Sequence, residues 1–189
     1  KVAGKGIERL QKAGREVVVG VLENECRALN SRFFTFHSKG RPYIILKWAQ
    51  TRNGLIAPLR QEQQAPVWIS NEFSQQLTHL WRAEEGAILV GRTTVERDNP
   101  SLTVRHWVGK NPLRLVIEGE HSLLDTFNVF RGEPTVVFSS KQSPNTEHVS
   151  YESLSSDLSM PNQVCNYLYD RQIQSLIVEG GAQVLQQFI

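Results

Sequence analysis

After Pro42 the chain alternates short apolar segments rich in β-forming residues with longer segments whose apolar residues recur at helical spacing. This alternation predicts an α/β fold in which parallel strands form one sheet and the connecting helices cover both of its faces. Ligands of such sheets bind at the edge where the carboxyl ends of the strands meet. We expect strands at 43–50, 87–90, 113–118, 135–138 and 175–178, and a further β segment at 101–104.

Four helical segments are expected between these strands. Ser70 is placed to cap the first helix and Gly86 to close it. A short helical turn at 93–97 ends at Asn99-Pro100, because the residue before a proline disfavours helical backbone. Pro161 can begin the third helix, and the last one follows Gly180-Gly181. The first, third and last helices have apolar faces made of Phe73, Leu77, Leu80 and Trp81, of Val164, Cys165, Leu168 and Tyr169, and of Val184, Leu185 and Phe188.

Residues 1–41 differ in charge from the remainder. They carry 9 basic and 4 acidic residues, a charge of +5, whereas the rest carry 12 and 15, a charge of −3. Together with the turn-rich segment at 38–42, this shift predicts a domain boundary between 1–40 and 41–189. In the first part we expect a helix that ends at Gly14, a strand at 17–21, and a helix whose apolar face contains Cys26, Leu29 and Phe33.

Composition excludes several classes of protein. With 40% hydrophobic residues and a formal charge of +2, the chain is globular and has no basic excess for nucleic acid. No apolar run approaches the roughly 20 residues that span a membrane. Cys26 and Cys165 lie far apart and form no CxxC motif, which favours a reducing, cytoplasmic setting. The single methionine is Met160 and the last residues have a helical pattern, so we expect a piece of a longer protein.

Glu179-Gly180-Gly181-Ala182 lies between an apolar strand and a helix. Residues without side chains at such a junction let backbone N–H groups approach a diphosphate closely. A Gly-Gly pair after a strand is also an ordinary turn. The segment matches neither GxGxxG nor the Walker loop, so neither a standard dinucleotide-binding motif nor a P-loop is indicated.

Four charged residues are candidates for chemistry, each with a structural alternative. Lys47 interrupts an apolar strand, and it either faces solvent or is a cation for a phosphorylated or carbonyl substrate. Asp98 precedes Asn99-Pro100, which is a common turn sequence. Arg82 and Arg105 end structural elements and are either solvated or bind a phosphate. The histidines lie at no metal-binding spacing and are expected at the surface, so no metal site is predicted; they are His37, His79, His106, His121 and His148.

Several strings of the sequence occur in one order that resembles a known family. They are RPYIILKWAQTRNGLIA, VWIS, LWRAEEGAILVGRTTVERDNPSLTVR, LRLVIEG and SLIVEGGAQVL, and they cover most of residues 41–187. This order is similar to the reductase domain of the bifunctional deaminase/reductases of riboflavin biosynthesis. Residues 2–40 resemble the end of the deaminase domain that precedes it in that family.

The resemblance implies a dihydrofolate-reductase-like three-layer α/β fold with a mainly parallel sheet, incomplete at its C-terminus. It implies NADPH-dependent reduction of a 5-amino-6-(5-phosphoribosylamino)uracil to its ribityl form, in a cytoplasmic parent enzyme that is a homodimer or larger homo-oligomer. By the same resemblance the catalytic positions are Lys47, Asp98 and Glu179, and the substrate-binding positions are Arg82, Leu102, Arg105 and Glu179. The implied cofactor-binding positions are Gln50, Trp68, Thr94, Asp98, Gly119, Gly180 and Gly181.

The sequence also departs from the family pattern and leaves alternatives open. Asn53-Gly54 replaces the family's Asp-Gly turn, and both sequences tolerate positive φ. The HxE and PCxxC motifs of a zinc deaminase are absent, so no deamination is expected and zinc belongs only to the deaminase part of the parent. The alternatives are a dihydrofolate-type reductase, a stand-alone pyrimidine reductase, and a non-catalytic NADPH-binding or dimerisation module.

Overall fold

The structure, a computed structural model, describes residues 4–58, 64–119, 123–141 and 143–189. Within these residues the chain forms six β-strands, seven α-helices and a 3₁₀ turn at Asn128–Phe130. The strands are β1 (Tyr43–Lys47), β2 (Ala87–Gly91), β3 (Leu113–Gly119), β4 (Thr135–Ser139), β5 (Val149–Ser153) and β6 (Ser175–Glu179). The helices are α1 (Lys5–Lys12), α2 (Glu23–Leu29), α3 (Ser31–Lys39), α4 (Glu72–Glu84), α5 (Arg92–Asp98), α6 (Met160–Asp170) and α7 (Ala182–Gln187).

The six strands form one sheet in the order β1-β6-β2-β3-β4-β5, and every pairing is parallel. The sequence-based expectation of a mainly parallel sheet is therefore confirmed. Because all strands run in one direction, their carboxyl ends meet at a single edge of the sheet. The last strand, β6, lies between β1 and β2, with Lys47 opposite Glu179 in the register.

Both faces of the sheet are covered, which confirms the three-layer arrangement. One face packs against α6 and α7 through Leu168 and Leu185, and the other packs against α4 and α5 through Trp81 and Val95. The central strands supply both cores because successive side chains point to opposite faces. Ala87 and Leu89 face the first layer, and Ile88 and Val90 face the second. No helix in the described ranges is long and apolar enough to cross a membrane.

The N-terminal segment contradicts two sequence-based expectations. The helix predicted before Gly14 is present as α1, and Gly14 adopts φ +71° after it. Residues 17–21, however, form no strand, and Val18 is 70% exposed. A β-branched run without a partner strand gains no ladder of hydrogen bonds, so its propensity alone does not produce a strand. The helix predicted through Cys26, Leu29 and Phe33 is two helices, α2 and α3, separated at Asn30.

Helix α3 connects this segment to the sheet. Phe36 is buried and its ring lies 4.7 Å from that of Tyr169 on α6. Arg32 donates from Nε to both carboxylate oxygens of Glu85, at 3.1 and 2.9 Å, and the Glu85 side chain is fully buried. A buried carboxylate needs such a partner. The domain boundary near residue 40 stays a prediction, and α3 packs against the domain that follows.

Helix α4 also differs from its predicted form. Asn71, not Ser70, caps it by accepting a hydrogen bond from the Ser74 N–H at 3.0 Å. The predicted core face is correct only in part: Trp81 packs against the core, whereas Phe73 is 81% and Leu77 42% exposed. His79 and Arg82, which were not part of that face, are buried. Gly86 is not a left-handed cap: a Cβ there would lie 2.8 Å from Ile173, so glycine permits close packing.

Two predictions about strands are also corrected. Residues 101–104 form no strand, and β5 is an edge strand that the sequence patterns do not indicate.

Candidate functional site

The carboxyl edge of the sheet brings two oppositely charged residues together. Lys47 ends β1 and Glu179 ends β6, so their parallel register places them side by side. The Lys47 Nζ lies 4.0 Å from Glu179 Oε2, and the lysine side chain keeps 27% of its surface exposed. Lys47 therefore combines a charged partner with access to solvent, which is what a group that contacts a ligand requires.

Arg82 completes the ion pairing of Glu179. From the last turn of α4, its Nη2 donates to Oε2 at 2.7 Å and its Nε to Oε1 at 3.2 Å, a two-pronged geometry suited to a carboxylate. Burial raises the pKa of Glu179, but the positive charges of Arg82 and Lys47 outweigh it and leave this pKa below its ordinary value. The remaining guanidinium nitrogen, Nη1, lies 3.4 Å from the Thr103 carbonyl oxygen. Glu179 is thus a stable carboxylate held between two cations.

His79 lies one turn before Arg82 on α4 and is a site residue that sequence reasoning missed. It was expected at the surface, yet only 5% of it is exposed. Its Nδ1 accepts a hydrogen bond from the Arg105 N–H at 3.1 Å, and its ring centroid lies 4.8 Å from that of His106, with the two rings nearly perpendicular. Burial and the charges of Arg82, Arg105 and His106 lower its pKa to about 4. The available signal was its spacing of three residues from Arg82, which places both on one helix face.

The neutral state of His79 predicts a pH-dependent stability. In the unfolded chain the imidazole takes up a proton near pH 6.5, whereas in the folded protein it does so only near pH 4. The unfolded state therefore binds more protons in this window, and the free energy of unfolding should fall as the pH is lowered from 6.5 towards 4.5. Urea unfolding at a series of pH values should show a shallower slope for His79→Asn. His37→Asn, on the exposed surface of α3, is the matched control and should keep the wild-type slope; equal slopes for all three proteins would contradict the expectation.

The Gly180-Gly181 turn lies against α5. Gly180 has φ +86° and Gly181 has φ +60°, conformations that residues with side chains adopt rarely. A Cβ on Gly180 would lie 2.8 Å from the Thr94 hydroxyl oxygen, so the turn and α5 approach each other closely. Thr94 and Asp98 are four residues apart and share one face of α5. Asp98 is the last residue of that helix and is partly buried.

Leu102 has an unusual backbone within the irregular segment 101–105. Its φ is +57°, a left-handed conformation that is uncommon for residues other than glycine and that clusters at functional sites. Its side chain is 2% exposed and packs into the core with Val95 and Val116. Arg114 supports the segment by donating to the Ser101 carbonyl at 3.1 Å. A ligand contact at Leu102 would therefore involve its backbone.

The other predicted cofactor residues lie at or beyond the ends of strands. Gly119 ends β3 with φ +74°, and its carbonyl accepts hydrogen bonds from the hydroxyls of Ser139 and Ser140. Gln50 lies three residues beyond β1 and accepts a hydrogen bond from the Trp48 indole at 3.0 Å. Trp68 precedes α4 and is 64% exposed. Gly119 and Gln50 thus lie at or just beyond the carboxyl ends of β3 and β1, and the cofactor roles of all three residues stay predictions.

In the four described ranges no three His, Cys, Asp or Glu side chains are grouped so that they could hold a metal ion. His121 lies outside the described residues.

Several known proteins resemble this chain over most of its length. Residues 42–189 match the family described as the RibD C-terminal domain. The riboflavin biosynthesis protein RibD of Aquifex aeolicus is 37% identical over all of this chain and 54% of its own length. The corresponding protein of Synechocystis is 43% identical over 61% of this chain and 31% of its own length. The chain thus spans about half the length of the relative that it matches throughout.

Solved structures show the same architecture. A crystal structure from Thermotoga maritima, of a diaminohydroxyphosphoribosylaminopyrimidine deaminase/5-amino-6-(5-phosphoribosylamino)uracil reductase, superposes with a TM-score of 0.82 at 35% identity. It aligns with 99% of this chain and 52% of its own. A riboflavin biosynthesis reductase of Saccharomyces superposes with a TM-score of 0.61 at 23% identity, over 85% of this chain and 75% of its own, which supports the fold alone.

Proposed function

The chain belongs to the RibD C-terminal domain family, and from this premise we propose that it carries an NADPH-dependent reductase activity on 5-amino-6-(5-phosphoribosylamino)uracil. In this reaction the ribosyl group is reduced to a ribityl group. Residues 41–189 form the reductase domain in this proposal, and residues 1–40 the end of a preceding deaminase domain. The protein contributes the reductase step of a bifunctional enzyme.

The ion-paired cluster of Lys47, Glu179 and Arg82 is the observation that carries the proposal. It lies at the carboxyl edge of a parallel sheet, where ligands of this fold class bind. Buried charges cost free energy unless they are paired, and their presence at a ligand-binding edge is typical of functional sites. Arg105, which is exposed next to this cluster, adds a second guanidinium for a phosphorylated substrate. A folate substrate has no phosphate for this pair of arginines to bind.

The roles of the charged residues follow from the charge that develops in the reaction. NADPH supplies a hydride when it is bound. Reduction at C1′ of the opened sugar, or of its imine form, builds negative charge on the acceptor atom, and the Lys47 ammonium stabilises that charge. Glu179 holds Lys47 in place and contacts the substrate. Asp98 orients or relays the proton that accompanies the reduction.

The cofactor fits the turn at the end of β6. Gly180 and Gly181 offer backbone without side chains, at a place where an added Cβ would approach Thr94. Backbone without side chains suits a diphosphate, which needs close approach to N–H groups. In this proposal Thr94 and Asp98 contact the cofactor from α5, and Gly119, Gln50 and Trp68 provide further contacts.

Changing Gly181 to valine should raise the KM for NADPH at least several-fold, because the branched side chain occupies the space that the diphosphate needs. The measurement is initial-rate kinetics at varied NADPH, with thermal unfolding to confirm folding. Gly132→Val is the matched control, since Gly132 also has positive φ, at +74°, but lies in the turn before β4. An unchanged KM in folded Gly181→Val would show that the turn only connects β6 to α7 and does not bind the cofactor.

The proposed activity is tested by the oxidation of NADPH in the presence of the phosphoribosylamino substrate. A reductase consumes NADPH with this substrate and forms the ribityl product, which mass spectrometry identifies. Oxidation with dihydrofolate alone would indicate a dihydrofolate-type reductase. Quenching of NADPH fluorescence without oxidation would indicate a binding module.

A cytoplasmic location and a homo-oligomeric parent enzyme complete the proposal. Both cysteines of the chain are free thiols, Cys26 at the surface and Cys165 in the core, as a reducing compartment favours. Zinc is expected only in the deaminase part of the parent. Size-exclusion chromatography with light scattering of the parent protein tests the assembly.

A further inference from the structure

His79 connects α4 to the irregular segment that carries Arg105. We propose that His79 is a positioning residue for the substrate phosphate: its neutral imidazole fixes the Arg105 backbone, so that the Arg105 side chain stays beside Arg82. The inference rests on the proposed function, because it assumes that the two arginines bind the phosphate. His79 itself has no contact with the reacting atoms in this proposal.

The contacts around the segment show why such an anchor matters. Residues 101–105 form neither helix nor strand, so no regular ladder of hydrogen bonds sets their position. The Val104 N–H donates to the Asn111 side chain at 2.7 Å, and Arg114 holds the Ser101 carbonyl. At Arg105 the backbone N–H donates to His79 Nδ1 at 3.1 Å. The Arg105 backbone is therefore held by a side chain that belongs to the helix of Arg82.

The surroundings of His79 keep its Nδ1 available as a hydrogen-bond acceptor. An imidazolium has no acceptor nitrogen, so only the neutral ring can hold the Arg105 amide. Burial and the facing charges of Arg82, Arg105 and His106 disfavour protonation, whereas Glu179 favours it. The pKa of about 4 keeps the ring neutral at physiological pH.

Fixing Arg105 near Arg82 has an energetic cost that substrate binding can offset. Arg105 is exposed but loses part of its solvation at this position, and the charge of Arg82 repels it, so both effects lower the pKa of Arg105. A flexible segment would relieve this repulsion by moving Arg105 away. The His79 contact opposes that movement, so two guanidinium groups remain ready for one dianion, and less conformational entropy is lost when the phosphate binds.

The test compares two substitutions that differ in one property. His79→Leu removes the acceptor, whereas His79→Asn places an amide oxygen at nearly the position of Nδ1, since both atoms are attached to Cγ. We expect His79→Leu to raise the substrate KM about 5- to 10-fold, the equivalent of one hydrogen bond, with kcat within about twofold of wild type. His79→Asn should restore KM to within about threefold of wild type. Gln76→Leu, on the exposed surface of α4, is the matched control and should match wild type.

Hydrogen exchange of the Arg105 amide gives a readout that does not depend on turnover. Exchange should be faster in His79→Leu than in wild type and slow again in His79→Asn. If His79→Leu speeds this exchange in a folded protein and KM does not change, the positioning role is overturned while the reductase function stands. Equal KM values for the Leu and Asn variants overturn it as well.

A phosphate probe separates this inference from the proposed function. If the wild type shows no turnover, the proposed function fails. The positioning role of His79 is then tested by the binding of ribose 5-phosphate, measured by NMR titration. Weaker binding by His79→Leu with recovery in His79→Asn supports the positioning role. Equal affinities, or no binding by wild type, overturn it.

Discussion

Replacing Lys47 by methionine should lower kcat by about 100-fold or more, with a much smaller change in substrate KM. The methionine keeps a stem of similar length but removes the charge that stabilises the developing negative charge on the acceptor. Because this interaction forms mainly in the transition state, its loss affects kcat more than KM. Single-turnover measurement of hydride transfer reports this step directly. Lys110→Met, on an exposed segment, is the matched control and should retain the wild-type rate.

Asp98 should act together with Lys47 in the hydride-transfer step. Asp98→Asn keeps the shape of the side chain but cannot carry a proton, so we expect a loss of similar size in kcat. The double variant should be little worse than the poorer single variant, since groups that act together are not additive. If Asp98 only forms a turn and Lys47 only pairs with Glu179, thermal stability will fall and the hydride step per folded molecule will be normal. That outcome would exclude the catalytic roles.

Replacing Arg82 by alanine should affect both stability and activity. It leaves Glu179 buried with one fewer cation, and the loss of one partner of a buried ion pair costs about 3–5 kcal/mol. The loss of a charged contact to the phosphate should lower kcat/KM by roughly 10- to 150-fold. Urea unfolding and steady-state kinetics measure the two effects separately.

Arg105 supplies the comparison for Arg82. Its side chain is exposed and donates to the Thr103 hydroxyl rather than to a buried carboxylate. Arg105→Ala should therefore lower kcat/KM by a similar factor without lowering stability by more than about 0.5 kcal/mol. On a dephosphorylated substrate analogue the loss for Arg105→Ala should be much smaller. Equal losses on both substrates would show that this arginine does not bind the phosphate.

The central strands of the fold could be predicted because they are buried on both faces. β2 has the sequence AILVG and β6 has the apolar centre Leu-Ile-Val, and burial of every residue leaves few other arrangements for such segments. β5 could not be found in this way, since its sequence VSYES is short and polar and its position is at the edge of the sheet. The opposite error at residues 17–21 has the same origin. Whether a β-forming run becomes a strand depends on a partner that lies elsewhere in the chain.

The types of residue in the site could be predicted from the sequence, but not which of these residues contact each other. Lys47 and Glu179 could each be noticed as a charge beside an apolar strand, but their pairing follows from a strand order that the local pattern does not contain. On α4 the apolar residues predicted only the part of the buried face that contains Trp81, because the part towards the site is made of His79 and Arg82. Hydrophobic periodicity assumes that polar residues face water, and this assumption fails beside a binding site.

The position of β6 between β1 and β2 has a consequence for the order in which the protein forms. β1 precedes the other five strands in this sequence, yet its neighbour in the sheet is the last of the six. β2, β3, β4 and β5 are neighbours both along the chain and in the sheet, so this part can assemble with short loop closures while synthesis continues. β1 therefore cannot pair with its neighbour until β6 has been synthesised and inserted between β1 and β2. The ion pair of Lys47 with Glu179 therefore forms only after nearly all of residues 1–189 have been synthesised.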